Sequence, residues 1–322
     1  MRATTGILVA LVLALATSAA LAQTYPAKTV RLVIPFATGG TTDILARTLA
    51  QKLAVATGQQ FIVDNRPGAG GTIGSDLVAK SPADGYTLVF GSTSSIVVAP
   101  NLYQKLPYDQ LRDFVAVTEV AAGPIVLAVH PSLPVQNVRE LIALAKARPG
   151  TLNFGSSGNG TSVHLAGEYL KFLAKIEMTH VPYKGIGPAL PDLVAGQLQL
   201  MFSDMAPFDA FVKAGKLRAI AVTTGKRSAL YPNLPSIAES GVPGYDLAGW
   251  YGVLAPVGTP KAVIDRLYDE FRKAINAADI KERYVTFGLE PVGSPPEQFD
   301  AFVRAELAKW GDIVKRSGTK LE

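Results

Sequence analysis

Short apolar runs alternate with longer amphipathic segments along most of this chain, and this alternation constrains the fold more than any other feature. The apolar runs predict strands at 30–36, 61–65, 87–91, 124–130, 152–155, 178–183, 198–203, 217–223 and 249–255. Many of them are apolar at nearly every position, which is typical of strands covered on both faces in parallel sheets. The alternation therefore predicts an α/β fold with right-handed crossovers.

The segments between these strands have the spacing and the end signals of helices. Apolar residues recur at helical spacing in 42–57, and Gly58 ends that segment. Asn137 with Glu140 is close to a capping box at the start of 138–148, and Pro149-Gly150 ends that helix. We also predict helices at 162–174, 188–195, 260–276 and 296–316, and no strand after residue 255.

Residues 1–22 have the pattern of a secretory signal peptide. Arg2 precedes a short apolar run at 7–15, and Ala20-Leu21-Ala22 provides an A-x-A cleavage site before Gln23. We therefore exclude 1–22 from the fold and expect an exported mature chain that begins at Gln23. An uncleaved anchor is the alternative, but the apolar run is short for a membrane span.

Composition narrows the possible functions. The chain has no cysteine, which excludes thiol catalysis and cysteine metal sites and leaves stability to the hydrophobic core. Lysine and arginine exceed aspartate and glutamate by 31 − 26 = 5, and the basic residues are scattered without interleaved aromatic residues. Nucleic acid is therefore not an expected partner, and the mildly positive field favours anionic solutes.

Two loops rich in glycine, serine and threonine each follow a predicted strand and lead into a helix, and they indicate two lobes. They occur within 34–47 and 154–170, and a third such loop follows the strand at 87–91. Ligands of open α/β sheets bind beyond the carboxyl ends of strands, so loops from two sheets can face each other across a cleft. We predict lobes at 23–121 plus 250–322 and at 122–249, with strands that cross between them near 119–124 and 246–252. Trp250 and Tyr251, at the second crossing, are expected to serve packing.

The first of these loops, IPFATGGTTDILAR at 34–47, has the form of an anion-binding loop. A nucleotide phosphate loop requires a lysine after its last glycine, but Gly40 is followed by two threonines and Asp43. Two interpretations stay open. Free N–H groups at the helix start could hold a negative group, or Thr42 could simply cap the helix with Asp43 in its first turn.

The segment RPGAGGTIGSDLVA at 66–79 imitates a dinucleotide-binding fingerprint but has the wrong spacing. Counted from Gly68 and Gly70, the third glycine is required at the position of Ile73. No acidic residue for a ribose lies about 20 residues further on, where the chain is apolar. We predict a tight loop between a strand and a helix instead.

A nucleophilic Ser/His pair is the catalytic arrangement to test. Ser92, Ser156 and Ser157 lie in the predicted cleft loops, and His164 lies one turn into a helix. The sequence has no G-x-S-x-G elbow and shows no third member of a triad. A secreted serine hydrolase is therefore the less favoured alternative to a binding protein.

The remaining ionisable residues have mainly structural interpretations. His130 and His180 are expected to be structural, and the scattered histidines do not favour a zinc site. Asp43 and Asp204 could each bind an ammonium group or cap a helix. Capping is favoured for Asp43, and both roles stay open for Asp204.

Seven phrases occur in one order along nearly the whole mature chain. They are YPAKTVRLVIPFATGGTTDILAR, VDNRPGAGGTIGSDLVAKSPADGYTL, NFGSSGNGTSVHLAGE, THVPYKGIGPALPDLVAGQ, VKAGKLRAIAVTTGKRS, WYGVLAPVGTP and a closing KW. In this order the chain resembles the periplasmic solute-binding proteins of tripartite tricarboxylate transporters, the Bug family. A match of this length is far more specific than any single glycine pattern.

The resemblance implies a two-lobed Venus flytrap in the periplasm, with a sheet flanked by helices in each lobe and the ligand in the cleft between them. Such proteins pass a small carboxylate to a membrane permease, without catalysis, cofactor or metal. Their ligands are di- or tricarboxylates, acidic amino acids and aromatic carboxylates, held by loop backbone groups, small hydroxyls and ordered waters. A monomer suits a cleft that opens and closes.

The ligand-binding residues implied by the resemblance lie in two loops, at one further serine and at one strand end. They are Phe36, Thr38, Gly39, Gly40, Thr41, Thr42, Asp43, Ser92, Ser156, Ser157, Gly158, Thr161, His164, Ser203 and Asp204. Many relatives have an Asp-Asn pair where this chain has Ser203-Asp204, so the identity of a relative's ligand is not carried over. A sensing receptor that presents its closed form to a signalling partner is an alternative function.

Overall fold

The computed structural model describes residues 25–320 and contains two β-sheets flanked by helices. The predicted signal peptide at 1–22 lies outside the described residues. The first part contains β1 (Val30–Ile34), α1 (Thr41–Thr57), β2 (Phe61–Asn65), α2 (Thr72–Ala79), β3 (Thr87–Ser92), α3 (Ala99–Leu102) and β4 (Phe114–Pro124). A short 3₁₀ turn at Ala69–Gly71 precedes α2, and a π-helical turn at Ser94–Val98 precedes α3.

The middle and last parts of the chain continue the alternation of strands and helices. The middle part contains β5 (Val126–Val129), α4 (Val138–Ala147), β6 (Asn153–Ser156), α5 (Ser162–Ala174), β7 (Thr179–Pro182), α6 (Ile186–Val194), β8 (Leu200–Ser203), α7 (Met205–Lys213) and β9 (Arg218–Val222). The last part contains β10 (Ala248–Pro256), α8 (Lys261–Asn276), α9 (Ala278–Thr286), β11 (Glu290–Pro291) and α10 (Pro296–Ser317).

The two sheets confirm the α/β class, but they are mixed rather than parallel. The first sheet has the order β11-β4-β10-β3-β1-β2, and the second has the order β7-β6-β8-β5-β9. The pairs β1/β2, β1/β3, β6/β7 and β6/β8 are parallel, whereas β10 runs antiparallel to β3 and β4, and β5 runs antiparallel to β8 and β9. The expectation of parallel sheets was wrong for these strands, because the chain leaves the first sheet along β4 and returns along β10.

The strand predicted at 124–130 is two elements. β4 ends at Pro124 in the first sheet, and β5 begins at Val126 in the second sheet, so the sheet changes within two residues. The prediction of no strand after 255 was also wrong, because Glu290 and Pro291 pair with Ala122 and Ala121 of β4. A two-residue strand has no apolar periodicity by which the sequence could reveal it.

Apolar faces of the helices cover both sheets. Leu45, Leu49 and Leu53 of α1 are fully buried in one core, together with Phe271 of α8. The C-terminal helix α10 packs on β4 and on α5, and therefore contacts both halves of the molecule. Within residues 25–320, no helix combines the length and the apolar character needed to cross a bilayer.

Candidate functional site

A cavity lies between the two sheets, at the ends of β1, β3, β6 and β8 and beside β10. It is lined by Phe36, Gly40, Thr41, Thr42, Ser92, Thr93, Ser94, Ile125, Ser157, Ser162, Val163, Ile186, Ser203, Asp204, Gly249, Trp250 and Tyr251. Five of these side chains are serines and three are threonines, and none is lysine, arginine or histidine. The wall therefore offers neutral hydrogen-bonding groups and a single carboxyl.

The cavity wall brings together only part of the predicted set. The wall includes eight of those residues, namely Phe36, Gly40, Thr41, Thr42, Ser92, Ser157, Ser203 and Asp204. The other seven are absent from the wall, namely Thr38, Gly39, Asp43, Ser156, Gly158, Thr161 and His164. Ligand contact by any of the fifteen stays a prediction.

The opening loop, residues 35–40, joins β1 to α1. Gly40 precedes the helix and no side chain caps it, whereas Thr42, the expected cap, lies within the first turn. The first intrahelical bond of this turn runs from Ile44 N to Gly40 O at 3.0 Å. The amide groups of residues 41–43 precede that bond, and with the positive end of the helix they suit an anionic group.

Asp43 supports the opening loop from behind. Its carboxylate accepts hydrogen bonds from Gly39 N at 3.1 Å and from Arg47 Nε and Asn65 Nδ2 at 3.0 Å each. Asn65 Nδ2 also donates to Phe36 O at 3.0 Å, so the same amide holds the loop backbone. Burial alone would raise the pKa of Asp43, but these hydrogen bonds hold it below its ordinary value. Asp43 therefore acts on the cavity through the loop.

The glycine-rich segment at 66–79 forms a loop at 66–71, between β2 and α2, and then α2 itself, and it packs against the opening loop. A Cβ atom at Gly74 would lie 2.9 Å from Pro35 Cα, and one at Gly71 would lie 3.2 Å from the Phe36 ring. Gly71 also has a φ of +100°, which L side chains rarely adopt. These glycines serve close backbone packing rather than a dinucleotide.

The second loop, residues 157–161, joins β6 to α5. Thr161 caps this helix, because its Oγ1 accepts from His164 N at 3.3 Å, and its hydroxyl donates to Gly158 O at 2.8 Å. Ser157 and Ser162, on either side of this capped turn, reach the cavity wall. The loop thus presents the positive end of a second helix to the same space.

Two stacked histidines hold the second loop. The Ser156 hydroxyl lies 2.6 Å from His180 Nε2, and His164 Nδ1 accepts from Gly160 N at 3.2 Å. The His164 and His180 ring centroids are 3.9 Å apart. The Ser156–His164 pair considered for a hydrolase is absent, because Ser156 pairs with His180 and neither side chain lines the cavity. The structural role expected for His180 agrees with this geometry.

These histidines make stability depend on pH. Burial, with lesser contributions from nearby charges, lowers the pKa of His164 to about 3 and that of His180 to about 4. The unfolded chain takes up their protons near pH 6.5, so their stabilising contribution is full above that pH and is lost as pH falls towards 4. Burial and Glu306 raise the pKa of Glu119 to about 7. Its contribution to the free energy of unfolding therefore falls as pH rises from about 4.5 to 7, opposite to that of the histidines.

Glu119 and Asp204, whose pKa values burial raises, oppose the two histidines, so a histidine variant is needed to isolate the histidine contribution. Between pH 6.5 and 4.5, we expect the free energy of unfolding of His180→Gln to fall by roughly 1–2 kcal/mol less than that of the wild-type protein, because the buried His180 has a pKa of about 4. Urea unfolding of both proteins at a series of pH values measures this difference, and equal pH dependence in the two proteins would show that His180 does not contribute.

Two contacts beside the cavity join the halves that carry the two sheets. Ser94 Oγ lies 2.9 Å from Ser162 Oγ and also accepts from Ser162 N at 2.9 Å. Ala37 N, in the opening loop, donates to Lys184 O at 3.1 Å. Ser94 and Ala37 follow strands of the first sheet, whereas Ser162 and Lys184 follow strands of the second. The structure is therefore closed over the cavity.

Trp250 and Tyr251 were expected to serve packing, but the structure also places both in the cavity wall. The Trp250 ring packs edge-on against Phe299 and Phe302 at 5.7 and 5.3 Å. The Tyr251 hydroxyl donates to Asp204 Oδ2. The sequence did indicate one thing: two adjacent aromatic residues lie at the predicted crossing between the lobes, and adjacent residues of a strand point to opposite faces.

Other wall residues lie outside the predicted set. Thr93 and Ser94 belong to the small-residue run around the end of β3, of which the prediction included only Ser92, and Thr93 Oγ1 accepts from Trp250 N at 2.9 Å. Ser162 directly follows the second loop, and the prediction did not include it. Ile125, Val163, Ile186 and Gly249 have no local signal, because only the meeting of the sheets brings them to the wall.

Asp204 is the only carboxyl in the cavity wall, and it is buried with 6% of its surface exposed. It precedes α7, but its side chain forms no capping hydrogen bond. Burial raises its pKa above the ordinary value. Among residues 25–320, no group of three or more histidine, cysteine, aspartate or glutamate side chains is arranged to hold a metal ion.

The sequence and the fold are similar to those of known proteins. The model of the family described as "Tripartite tricarboxylate transporter family receptor" matches residues 45–319. The solved structure "R. palustris Rpa4515 with adipate" is 39% identical, with a TM-score of 0.88, over 91% of this chain and 98% of that one. "Structure of periplasmic binding protein BugD" is 32% identical, with a TM-score of 0.88, over 92% and 100%. "MatC (Rpa3494) from Rhodopseudomonas palustris with bound malate" is 31% identical, with a TM-score of 0.85, over 90% and 100%.

Proposed function

Because this chain belongs to the tripartite tricarboxylate transporter receptor family, a family of periplasmic solute-binding proteins, we propose that it captures a small carboxylate between its lobes and delivers it to a membrane permease. The ligand class comprises di- and tricarboxylates, acidic amino acids and aromatic carboxylates. The lobes proposed for this capture are 23–121 plus 250–322 and 122–249. A cleaved signal peptide at 1–22 would bring the protein to the periplasm.

The observation that carries this proposal is the convergence of two helix starts on one cavity. Gly40 and Thr41 begin α1 on one side, and Ser157 and Ser162 flank the start of α5 on the other side. Both helix N-termini direct partial positive charge and N–H groups towards the same space, which suits a carboxylate without a basic side chain. Two solved relatives that share this fold are described with adipate and with bound malate.

The same arrangement supports binding without reaction. The serines that line the cavity have no histidine in the cavity wall to take a proton, and the Ser156–His180 pair lies behind the second loop. A captured carboxylate is therefore released unchanged. Contacts such as Ser94–Ser162 would form when the lobes close and break when they open.

A thermal-shift screen of mono-, di- and tricarboxylates tests the proposal. A true ligand at about 100-fold above its Kd should stabilise the folded protein by about 2.7 kcal/mol. Aromatic carboxylates and acidic amino acids belong in the same screen, and uncharged amides of the same acids are the matched controls. If no carboxylate stabilises the protein, the proposed function is wrong.

A further inference from the structure

Three oxygen atoms in the cavity wall are buried and have no hydrogen-bond partner. They are Thr41 Oγ1, Ser203 Oγ and Asp204 Oδ1. These three residues have only 4%, 1% and 6% of their surface exposed, so bulk water does not readily serve them. Buried polar atoms are nearly always hydrogen-bonded in folded proteins, so three partnerless atoms in one wall require an explanation.

The Asp204 carboxylate is only half satisfied. Its Oδ2 accepts from the Tyr251 hydroxyl, which also fixes the orientation of the carboxyl group. Its Oδ1 is left beside Gly249, where an added Cβ atom would lie 3.3 Å from this oxygen. The glycine at position 249 therefore leaves room beside Oδ1, which a larger residue would crowd.

Charge limits what can pair with Asp204. The residues that line the cavity include no cationic side chain, so the protein does not neutralise this carboxylate there. A buried unpaired carboxylate is costly, and a second carboxylate placed against it adds repulsion between like charges. A ligand that supplies a positively charged donor removes both penalties.

We infer that the ligand is an amino-substituted carboxylate whose ammonium group is held by Asp204, Thr41 and Ser203. This inference rests on the proposed function, because the ligand carboxylate still binds at the helix starts. An ammonium group has three N–H donors and no acceptor, and the wall offers three acceptor oxygens without partners. Burial raises the pKa of Asp204, while the Tyr251 and Thr41 hydroxyls beside it act in the opposite direction. A bound ammonium group favours the charged form of Asp204, which then supplies the counterion, and the two hydroxyls complete the shell.

Isothermal titration calorimetry with two matched ligand sets tests this inference. Succinate, malate and aspartate share a four-carbon dicarboxylate skeleton and differ by hydrogen, hydroxyl and ammonium at one carbon. Butyrate and 4-aminobutyrate differ by an ammonium at the end of one chain. In at least one set, we expect the ammonium-bearing ligand to bind about ten- to a hundredfold more tightly than the unsubstituted one.

Protein variants assign that preference to the wall. Asp204→Asn keeps the shape but removes the charge, and should abolish the ammonium preference. Asp209→Asn makes the same change within α7, the helix that Asp204 precedes, and its carboxylate pairs with Lys213 at 2.7 Å outside the cavity. This variant should retain the preference. Ser203→Ala removes one acceptor and should weaken the preference only partly.

The outcomes distinguish a failure of the ammonium preference from a failure of carboxylate binding. If carboxylates bind but neither set favours the ammonium, or if the preference survives in Asp204→Asn, the inference is wrong and the proposed function stands. If no carboxylate binds at all, both fail. The ligand comparison on the wild-type protein decides the inference even where Asp204→Asn does not fold.

Discussion

Gly187→Ala should weaken carboxylate binding by at least about 100-fold while leaving the fold intact. Gly187 lies in the first turn of α6, on the side of the second sheet, and faces the opening loop of the first. An added Cβ atom would lie 1.9 Å from Thr38 O, which is a backbone atom that cannot rotate away. Closure would stop short by more than 1 Å, outside hydrogen-bonding reach for contacts such as Ala37 N to Lys184 O.

Loss of two or three such hydrogen bonds, at about 1–1.5 kcal/mol each, gives the expected 100-fold effect. Titration calorimetry of wild-type and variant proteins measures the loss, and small-angle scattering should show a variant that stays open with ligand. Pro188→Ala, at the exposed neighbouring position of the same helix, is the control. Gly187→Ala with wild-type affinity would mean that binding does not require this degree of closure.

Gly187 and Gly40 differ in the space that each leaves for an added side chain. Both glycines lie where the opening loop meets α6, and the sequence predicts that a bulky replacement at Gly40 or Thr41 abolishes binding while leaving the fold intact. A Cβ atom at Gly40 would be 3.8 Å from Ile186 Cβ, which is an ordinary contact. Alanine therefore fits at Gly40, and only a bulky residue there would obstruct the cavity.

Glu306→Ala should lower the free energy of unfolding by about 2–5 kcal/mol. Glu306 Oε2 accepts from Trp250 Nε1 at 2.9 Å and from Trp310 Nε1 at 3.0 Å, and both indoles are buried. The alanine variant leaves two indole N–H groups without a partner, at about 1–3 kcal/mol each. Relief of the repulsion between Glu306 and Glu119 offsets part of this loss, because Glu306 disfavours the charged form of Glu119 and raises its pKa.

Urea denaturation at pH 7 measures the effect, and two further variants interpret it. Glu306→Gln keeps an acceptor oxygen and should cost less than half as much as the alanine change. Asp300→Ala removes an exposed carboxylate of the same helix, paired with Arg304, and should change stability by less than about 1 kcal/mol. A Glu306→Ala variant as stable as Asp300→Ala would contradict a structural role for the indole pair.

Binding should also respond to Glu306, because Trp250 belongs to the cavity wall as well as to this buried network. The helix that carries Glu306, α10, packs on β4 and α5 and so spans both halves of the molecule. An indole released from Glu306 can tilt at the wall, so ligand affinity is expected to fall together with stability.

Much of the local structure was readable from the sequence, because it depends on neighbours along the chain. The helix at 162–174 begins and ends as predicted, since Thr161 caps it and apolar residues recur along one face. The apolar run at 30–36 contains β1, and the absence of a lysine after Gly40 is enough to exclude a nucleotide loop. The family was also recognisable, because its phrases occur in fixed order.

The sequence could not show which strands change sheets or which polar atoms end without a partner. The run at 124–130 looked like one strand, but the sheet changes at residue 125, a choice made by pairing partners far away along the chain. The sequence therefore determined the α/β class, the family and the two anion-suited helix starts, which are properties of local pattern. Only the tertiary structure decided that Asp43 braces a loop, that Ser156 pairs with His180, and that Asp204 keeps one oxygen free, because hydrogen-bond satisfaction depends on how two sheets meet.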